Sequence, residues 1–185
     1  MTATASLTVP ATAELPELTL RAWRREDAPA LIEAYRDPVL RTTLRHVPET
    51  DEDALRWLDV QWRGWDSGNR YSLAVFEPDD GPAGPRLVAN VVVKNVATRG
   101  SMGEVGYWTA GHSRGRGVAP RAVEALTAWA FAEFDLEALD LLHQIDNTAS
   151  CRVAEKAGYV FDEVLPALPP EFPLDGHRHI RLAPR

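Results

Sequence analysis

The segment Leu87-Val-Ala-Asn-Val-Val-Val93 reads as a near-continuous apolar run and is the strongest single constraint on the fold. A strand that is apolar on both sides of its pleat must be covered on both faces. It therefore predicts a central strand with layers above and below it. The surrounding pattern supplies them. Glu17 to Trp23 alternates as a strand, and Arg25-Glu26-Asp27 opens a helix through about Tyr35, with Asp27 as its cap and Asp37-Pro38 as its stop. Thr50-x-x-Asp53 resembles a capping box, and the helix behind it carries Ala54, Leu58, Gln61 or Trp62, and Trp65 at helical spacing. Further strands are expected at Tyr71–Phe76, Gly103–Thr109, Leu139–Ile145, Tyr159–Leu165 and His177–Leu182. Helices are expected at Val118–Phe134 and Thr148–Ala157, the latter ended by Gly158. Early strands are joined by turns and later ones alternate with helices, which predicts an α+β fold with a mixed sheet. Residues 1–16, rich in Thr, Ala and Pro, read as a flexible tail, and 17–185 as one domain.

Composition narrows the function classes. The chain has 185 residues and a formal net charge of −7, which opposes nonspecific nucleic-acid binding, because phosphate contacts need a positive field. Its one cysteine, Cys151, excludes an intramolecular disulfide and points to a reducing, cytoplasmic setting. No apolar run approaches the roughly 18 residues of a membrane span, and no secretory signal is visible at the N-terminus.

The stretch Tyr107-Trp-Thr-Ala-Gly111-His-Ser-Arg114-Gly-Arg-Gly117-Val-Ala-Pro120 places a strand, a Gly/Arg loop and a helix start in sequence. The unpaired N–H groups and partial positive charge of a helix N-terminus attract anions, and glycines let a diphosphate approach the backbone. Neither the P-loop pattern nor the dinucleotide fingerprint is present. Taken alone, such a loop is equally an ordinary turn before a helix.

Two motifs carry a resemblance. Arg114-x-x-Gly117-x-Ala119 is similar to the R/Q-x-x-G-x-G/A motif of the GNAT N-acetyltransferases, and Asn147-x-x-Ser150 through Gly158-Tyr159 resembles that family's second motif. Leu18-Thr-Leu-Arg21 with Glu26-Asp27 resembles the opening of the RimJ/RimL-like branch. The resemblance spans about residues 17–183. It implies a twisted mixed sheet of about six or seven strands, with two splayed central strands and about four flanking helices. It also implies an acetyl-CoA co-substrate and direct attack by a primary amine, either a protein N-terminal α-amine or a small molecule. By the same resemblance the pantetheine runs along Trp108 and Thr109. The pyrophosphate lies on the amides of Arg114, Gly115, Arg116, Gly117, Val118 and Ala119, and Asn147 contacts the pantetheine. The guanidiniums of Arg114, Arg116 and Arg121 are either phosphate contacts or solvated side chains.

Thioester aminolysis needs a base for the amine, a donor for the oxyanion and a donor for the leaving thiolate. Many family members place a Tyr seven residues after the Asn for the last role; here that position is Ala154. Ser150 is the candidate in its place, against a plain role as a helix-start hydroxyl. Glu104 is the candidate general base, against an exposed strand carboxylate, because one residue of register would turn it to the other face. The rival reading is an acyl-CoA-binding sensor or interaction module without transfer. Trp57, Trp62 and Trp65 read first as core. His46, His112 and His143 read first as surface or packing residues. His177 and His179 share a strand face, but no Cys or carboxylate stands beside them at ligand spacing, so no metal site is expected. Cys151 has no visible partner and reads as a structural thiol. Relatives are monomers or dimers, which leaves a homodimer open.

Overall fold

The computed structural model describes residues 5–43, 47–79, 81 and 84–184; His46 lies outside them. The described elements run β1 (Ser6–Val9), β2 (Leu18–Ala22), α1 (Ala28–Ala34), α2 (Pro38–Thr43), α3 (Asp51–Asp66), β3 (Arg70–Glu77), β4 (Arg86–Lys94), β5 (Met102–Thr109), α4 (Val118–Glu133), β6 (Ala138–Gln144), α5 (Thr148–Lys156), β7 (Val160–Leu165) and β8 (Gly176–Leu182). The strands form one sheet in the order β1-β2-β3-β4-β5-β6-β8-β7. Only β5 and β6 pair in parallel; every other neighbouring pair is antiparallel.

Strand β4 holds the centre as its sequence requires, buried from Leu87 to Val93. On one face, Val88, Val91 and Val93 join Val118, Val123 and Leu126 of α4 and Ala154 of α5. On the other, Leu87 and Phe76 pack with Leu31 of α1, Leu58 of α3, Trp23 and Trp108. The two aromatic-rich and aliphatic cores sandwich the sheet, which is why its middle strands lack a polar face.

Three details correct the sequence reading. Ser6–Val9, placed in the expected tail, is an edge strand whose Leu7 and Val9 pack on the α4-side core while its other residues turn outward. Arg121 fastens the segment that follows, its guanidinium donating to the carbonyls of Pro10 and Pro16 at 2.8 and 2.9 Å. Asp27 does not cap α1 with its side chain. Its buried carboxylate instead accepts both guanidinium nitrogens of Arg21 at 2.7 Å and the Arg24 N–H at 2.8 Å. Pro38 starts a helix as well as ending the previous one, because a proline without an N–H suits a first helical position. The Thr50–Asp53 box does form, with both reciprocal bonds in place.

The feature that positions the site is the end of the parallel pairing. Strands β5 and β6 are in register from Met102↔Ala138 to Val105↔Leu141 and no further. Beyond that point β5 stays with β4 through Thr109, while β6 stays with β8 through Gln144. Two strands held by different neighbours open a wedge between Gly106–Thr109 and Leu142–Gln144.

Candidate active site

One wall of the wedge is the free main-chain edge of β5. The Ala110 N–H donates to the Val88 carbonyl at 2.9 Å. Antiparallel strands alternate their polar groups along the chain. Trp108 therefore turns its main-chain groups toward β4, and Tyr107 and Thr109 turn theirs into the wedge. Of the two residues expected along the pantetheine, Trp108 thus turns its main-chain groups to β4. Its side chain is core, 5% exposed, meeting Tyr35 edge-on at 5.5 Å. Thr109 has its main-chain groups facing the wedge.

At the wide end of the wedge, a short turn at Gly111–Ser113 leads through Arg114, Gly115, Arg116 and Gly117 into α4. Gly115 and Gly117 both adopt the left-handed conformation, with φ of 72° and 71°. Any other residue there would be strained by about 1–2 kcal/mol. No side chain caps α4, and Gly117 stands at its N-cap. The amides of Val118 and Ala119 at the first turn therefore keep their donors for a ligand, although both side chains are buried. The hydroxyl of Ser113, also buried, has no hydrogen-bond partner among the described residues. An uncapped helix start with two left-handed glycines is a backbone anion cradle.

The guanidiniums around this cradle are already engaged. Arg114 pairs with Asp37 at 2.8 Å. Arg116 grips both oxygens of Glu77 at 3.0 and 3.1 Å, and Arg86 binds the same carboxylate. Arg121 holds the N-terminal segment. The loop's affinity for an anion must therefore rest on its amides more than on its arginines.

Glu77 itself is a buried keystone. Burial pushes its carboxyl up, but Arg116 and Arg86 outweigh that and hold it below the usual 4.5. A depressed folded pKa contributes stability that is present above the unfolded value and lost as pH falls through the folded one. Glu77→Gln is expected to cost about 1–3 kcal/mol at neutral pH, less than a sealed ion pair because both guanidiniums reach water. The gap to the parent should close as pH drops below 4.5, the ordinary value, which paired urea melts across pH will show.

On the α4 side of the wedge, Ser150 sits in the first turn of α5. Asn147 is the cap: its side-chain oxygen accepts the Ser150 N–H at 3.2 Å. The Ser150 hydroxyl is thus free of the capping role and lies 2.8 Å from the Tyr107 hydroxyl, 7% exposed. Burial pushes the Tyr107 phenol up, so it stays protonated and able to donate. Tyr107 was not singled out from sequence. The signal was available: strand alternation puts it on the face opposite Trp108, and only the α5 docking shows what it meets there.

Glu104 lies on the other face of β5, two residues before the wedge opens. Its carboxylate pairs with Lys94 at 2.7 Å and accepts the Asn95 side-chain amide at 3.3 Å. The structure therefore does not bring Glu104 and Ser150 together; it sets them on opposite faces of one strand. The Glu104 face carries Trp57 and Trp62: Trp57 meets Trp23 edge-on at 5.0 Å, and Trp62 donates to the Trp23 carbonyl. Trp65, whose N–H donates to the Ser72 carbonyl, packs on Tyr71 and Trp129 in the α4-side core. All three pack as expected. On the Glu104 side a cavity of about 580 Å³ opens between α1, the β3–β4 hairpin and the turn after β5, lined by Glu33, Asp37, Asp79, Arg86 and His112 among others.

One expectation fails outright. Cys151 does have partners: its Sγ lies 3.4 Å from both His143 Nε2 and His177 Nδ1.

The sequence matches the acetyltransferase (GNAT) domain family over residues 17–160. The chain belongs to the GNAT acetyltransferase family. It is an acetyl-CoA-dependent N-acetyltransferase. An uncharacterized N-acetyltransferase, p20 of Bacillus licheniformis, is 24% identical over 147 residues, covering 77% of this chain and 78% of that one. The fold is similar to RimL, a ribosomal-protein alpha-N-acetyltransferase solved with coenzyme A, at a TM-score of 0.79 and 16% identity over 95% and 98% of the two chains. It is likewise similar to RimJ of Mycobacterium smegmatis with a CoA-disulfide, at a TM-score of 0.78 and 18% identity over 97% and 87%. The GNAT sheet has eight described strands and five helices, against the six or seven and four expected; the extra pieces are the edge strand β1 and the short α2. No described helix is long and apolar enough to cross a membrane.

Proposed function

We propose that this acetyltransferase binds acetyl-CoA through the amides of Arg114 to Ala119 and the free edge at Thr109, and that a primary amine attacks the thioester directly. The amine arrives from the α1–α3 face. The observation that carries this reading is the opposed placement of Ser150 and Glu104 across β5. In direct transfer the amine adds to one face of the thioester while the sulfur lies in the thioester plane, so the base and the thiolate donor act from different directions, and the two candidate groups stand on opposite faces of β5. The Ser150 hydroxyl, backed by Tyr107, donates a hydrogen bond to the departing thiolate. A thiol has a pKa near 8.5, so a hydrogen bond stabilises the thiolate without a hydroxyl having to surrender its proton. Glu104, held in place by Lys94, takes the amine's proton through water. Asn147 holds the first turn of α5 in place as its cap. The setting proposed is the cytoplasm, which fits a chain whose single cysteine cannot form an internal disulfide.

The acceptor class is a primary amine, and the fold shared with RimL makes a polypeptide N-terminus the first to try. The test is release of CoA thiol from acetyl-CoA across peptides with free N-termini and a set of small amines. Acceptor-dependent release names the class. Glu104→Gln should then lower kcat/KM about 100-fold. An unchanged kcat/KM with lower thermal stability would reduce Glu104 to a structural partner of Lys94. Tight acetyl-CoA binding without turnover over the whole panel would favour an acyl-CoA-binding module.

A further inference from the structure

Immediately beside Ser150, four donors converge that the transfer chemistry does not use. His143 on β6, His177 and His179 on β8 and Cys151 on α5 place one ligand atom each within 4.8 Å of all the others. The sheet register makes this possible. Antiparallel pairing sets His143 directly across from His177, and Leu141 across from His179, so three imidazoles occupy one face of two strands. Helix α5 lies over that face, and its first turn lowers Cys151 onto them. Three of the chain's five histidines and its only cysteine are gathered in one place.

We propose that His143, Cys151, His177 and His179 form a closed four-coordinate site for a zinc-class divalent metal ion. The observed separations fit. Zinc bonds of about 2.0–2.1 Å to nitrogen and about 2.3 Å to sulfur put neighbouring tetrahedral ligand atoms roughly 3.3–3.6 Å apart. Here His143 Nε2 lies 3.2 Å from His179 Nε2, and the sulfur lies 3.4 Å from His143 and from His177. The outer contacts suit ligation as well. His143 donates from Nδ1 to the Gln144 carbonyl at 2.7 Å, which leaves its Nε2 lone pair facing the cluster. The phenyl ring of Phe161 covers His177 and His179 at 5.2 and 5.8 Å, an apolar wall on one side. His179 is buried, whereas the other three are half-buried, so an ion can enter from solvent. On binding, the Cys151 thiol gives its proton to water and a metal–thiolate bond forms, with no change of oxidation state. A set of three imidazoles and one thiolate is borderline-soft, which selects zinc over magnesium or calcium.

Four protein ligands leave no open position, so the ion is structural. It ties α5 to β6 and β8 one residue from Ser150, and acts on transfer only by fixing that turn. The proposal stands apart from the assignment of Ser150 and does not need it.

The test uses the full chain without a histidine tag, stripped with chelator and kept free of CoA. Native mass spectrometry after zinc addition should show one ion per chain. The cobalt form should show the intense visible bands of a tetrahedral site and a thiolate-to-cobalt charge-transfer band. Cys151→Ser should abolish that band, and both Cys151→Ser and His177→Gln should weaken binding by more than about 100-fold, beyond the 10–100-fold cost of losing an outer partner. Both positions are half-buried, and circular dichroism of the metal-free variants confirms that they fold. Absence of a stoichiometric ion, a six-coordinate cobalt spectrum, or unchanged affinity in the two variants would overturn the proposal. Any of these leaves acetyl-CoA binding untouched.

Discussion

Ser150→Ala is expected to lower kcat about 100-fold while acetyl-CoA affinity stays within about threefold of the parent, the size of effect seen when one donor to a developing charge is removed. Geometry allows a clean reading of that variant. The Ser150 N–H, which Asn147 caps, survives the substitution, so the start of α5 is preserved. The hydroxyl's loss strands the buried Tyr107 phenol, at a stability cost of about 1–2 kcal/mol. Tyr107→Phe removes the partner instead, and in the double variant the two apolar groups meet without a stranded hydroxyl. If Tyr107 acts only through Ser150, the double variant should be no slower than Ser150→Ala alone, a non-additivity that a double-mutant cycle on kcat will measure. Additive losses would mean that Tyr107 reaches the substrate independently. Full activity in Ser150→Ala would remove the hydroxyl from the chemistry and leave it as packing for Tyr107.

The sequence carried the site unevenly, and the reason is range. Arg114–Ala119 and Asn147–Ser150 are local: each is a loop entering a helix, so spacing alone conveys the backbone shape. The strand positions of β3 to β8 were legible to within a residue or two for the same reason, because alternation and turn residues are local signals. Contacts between segments were not legible. The Tyr107–Ser150 pair joins residues 43 apart, and the Arg116–Glu77 grip joins residues 39 apart. Arg121 read as either a phosphate contact or a solvated side chain, and it holds carbonyls more than 100 residues away. The edge strand at Ser6–Val9 was hidden by its brevity and by the Thr- and Pro-rich stretch around it; only pairing with β2 makes it a strand. The His143–Cys151–His177–His179 cluster is the extreme case. No two of its members show metal-ligand spacing with a third, since the site exists only once β6 pairs with β8 and α5 docks.

Replacing both Gly115 and Gly117 with alanine is expected to raise the acetyl-CoA dissociation constant by at least about tenfold, or about 1.4 kcal/mol. The argument is conformational. Neither position is crowded: a methyl at Gly115 would meet nothing within 4 Å, and one at Gly117 would make ordinary contact with Leu15 at 3.4 Å. What an L-residue cannot do at low cost is hold φ near +70° twice in three residues. The loop would relax toward ordinary backbone, turning the amides of Arg116 to Ala119 away from a common point, while α4, fixed by its buried face, would stay folded. Thermal stability should consequently fall little and co-substrate binding much. The arginines supply the control. Arg114→Gln and Arg116→Gln each remove a positive charge, yet those guanidiniums are committed to Asp37 and Glu77. They should weaken binding less than the glycine pair does, and more of their effect should vanish at high salt, because exposed charges are screened and oriented amides are not. Calorimetric titration with acetyl-CoA at two ionic strengths separates these cases. A larger, salt-sensitive loss in the arginine variants would place the co-substrate's phosphates on side chains and overturn the amide cradle as their principal site.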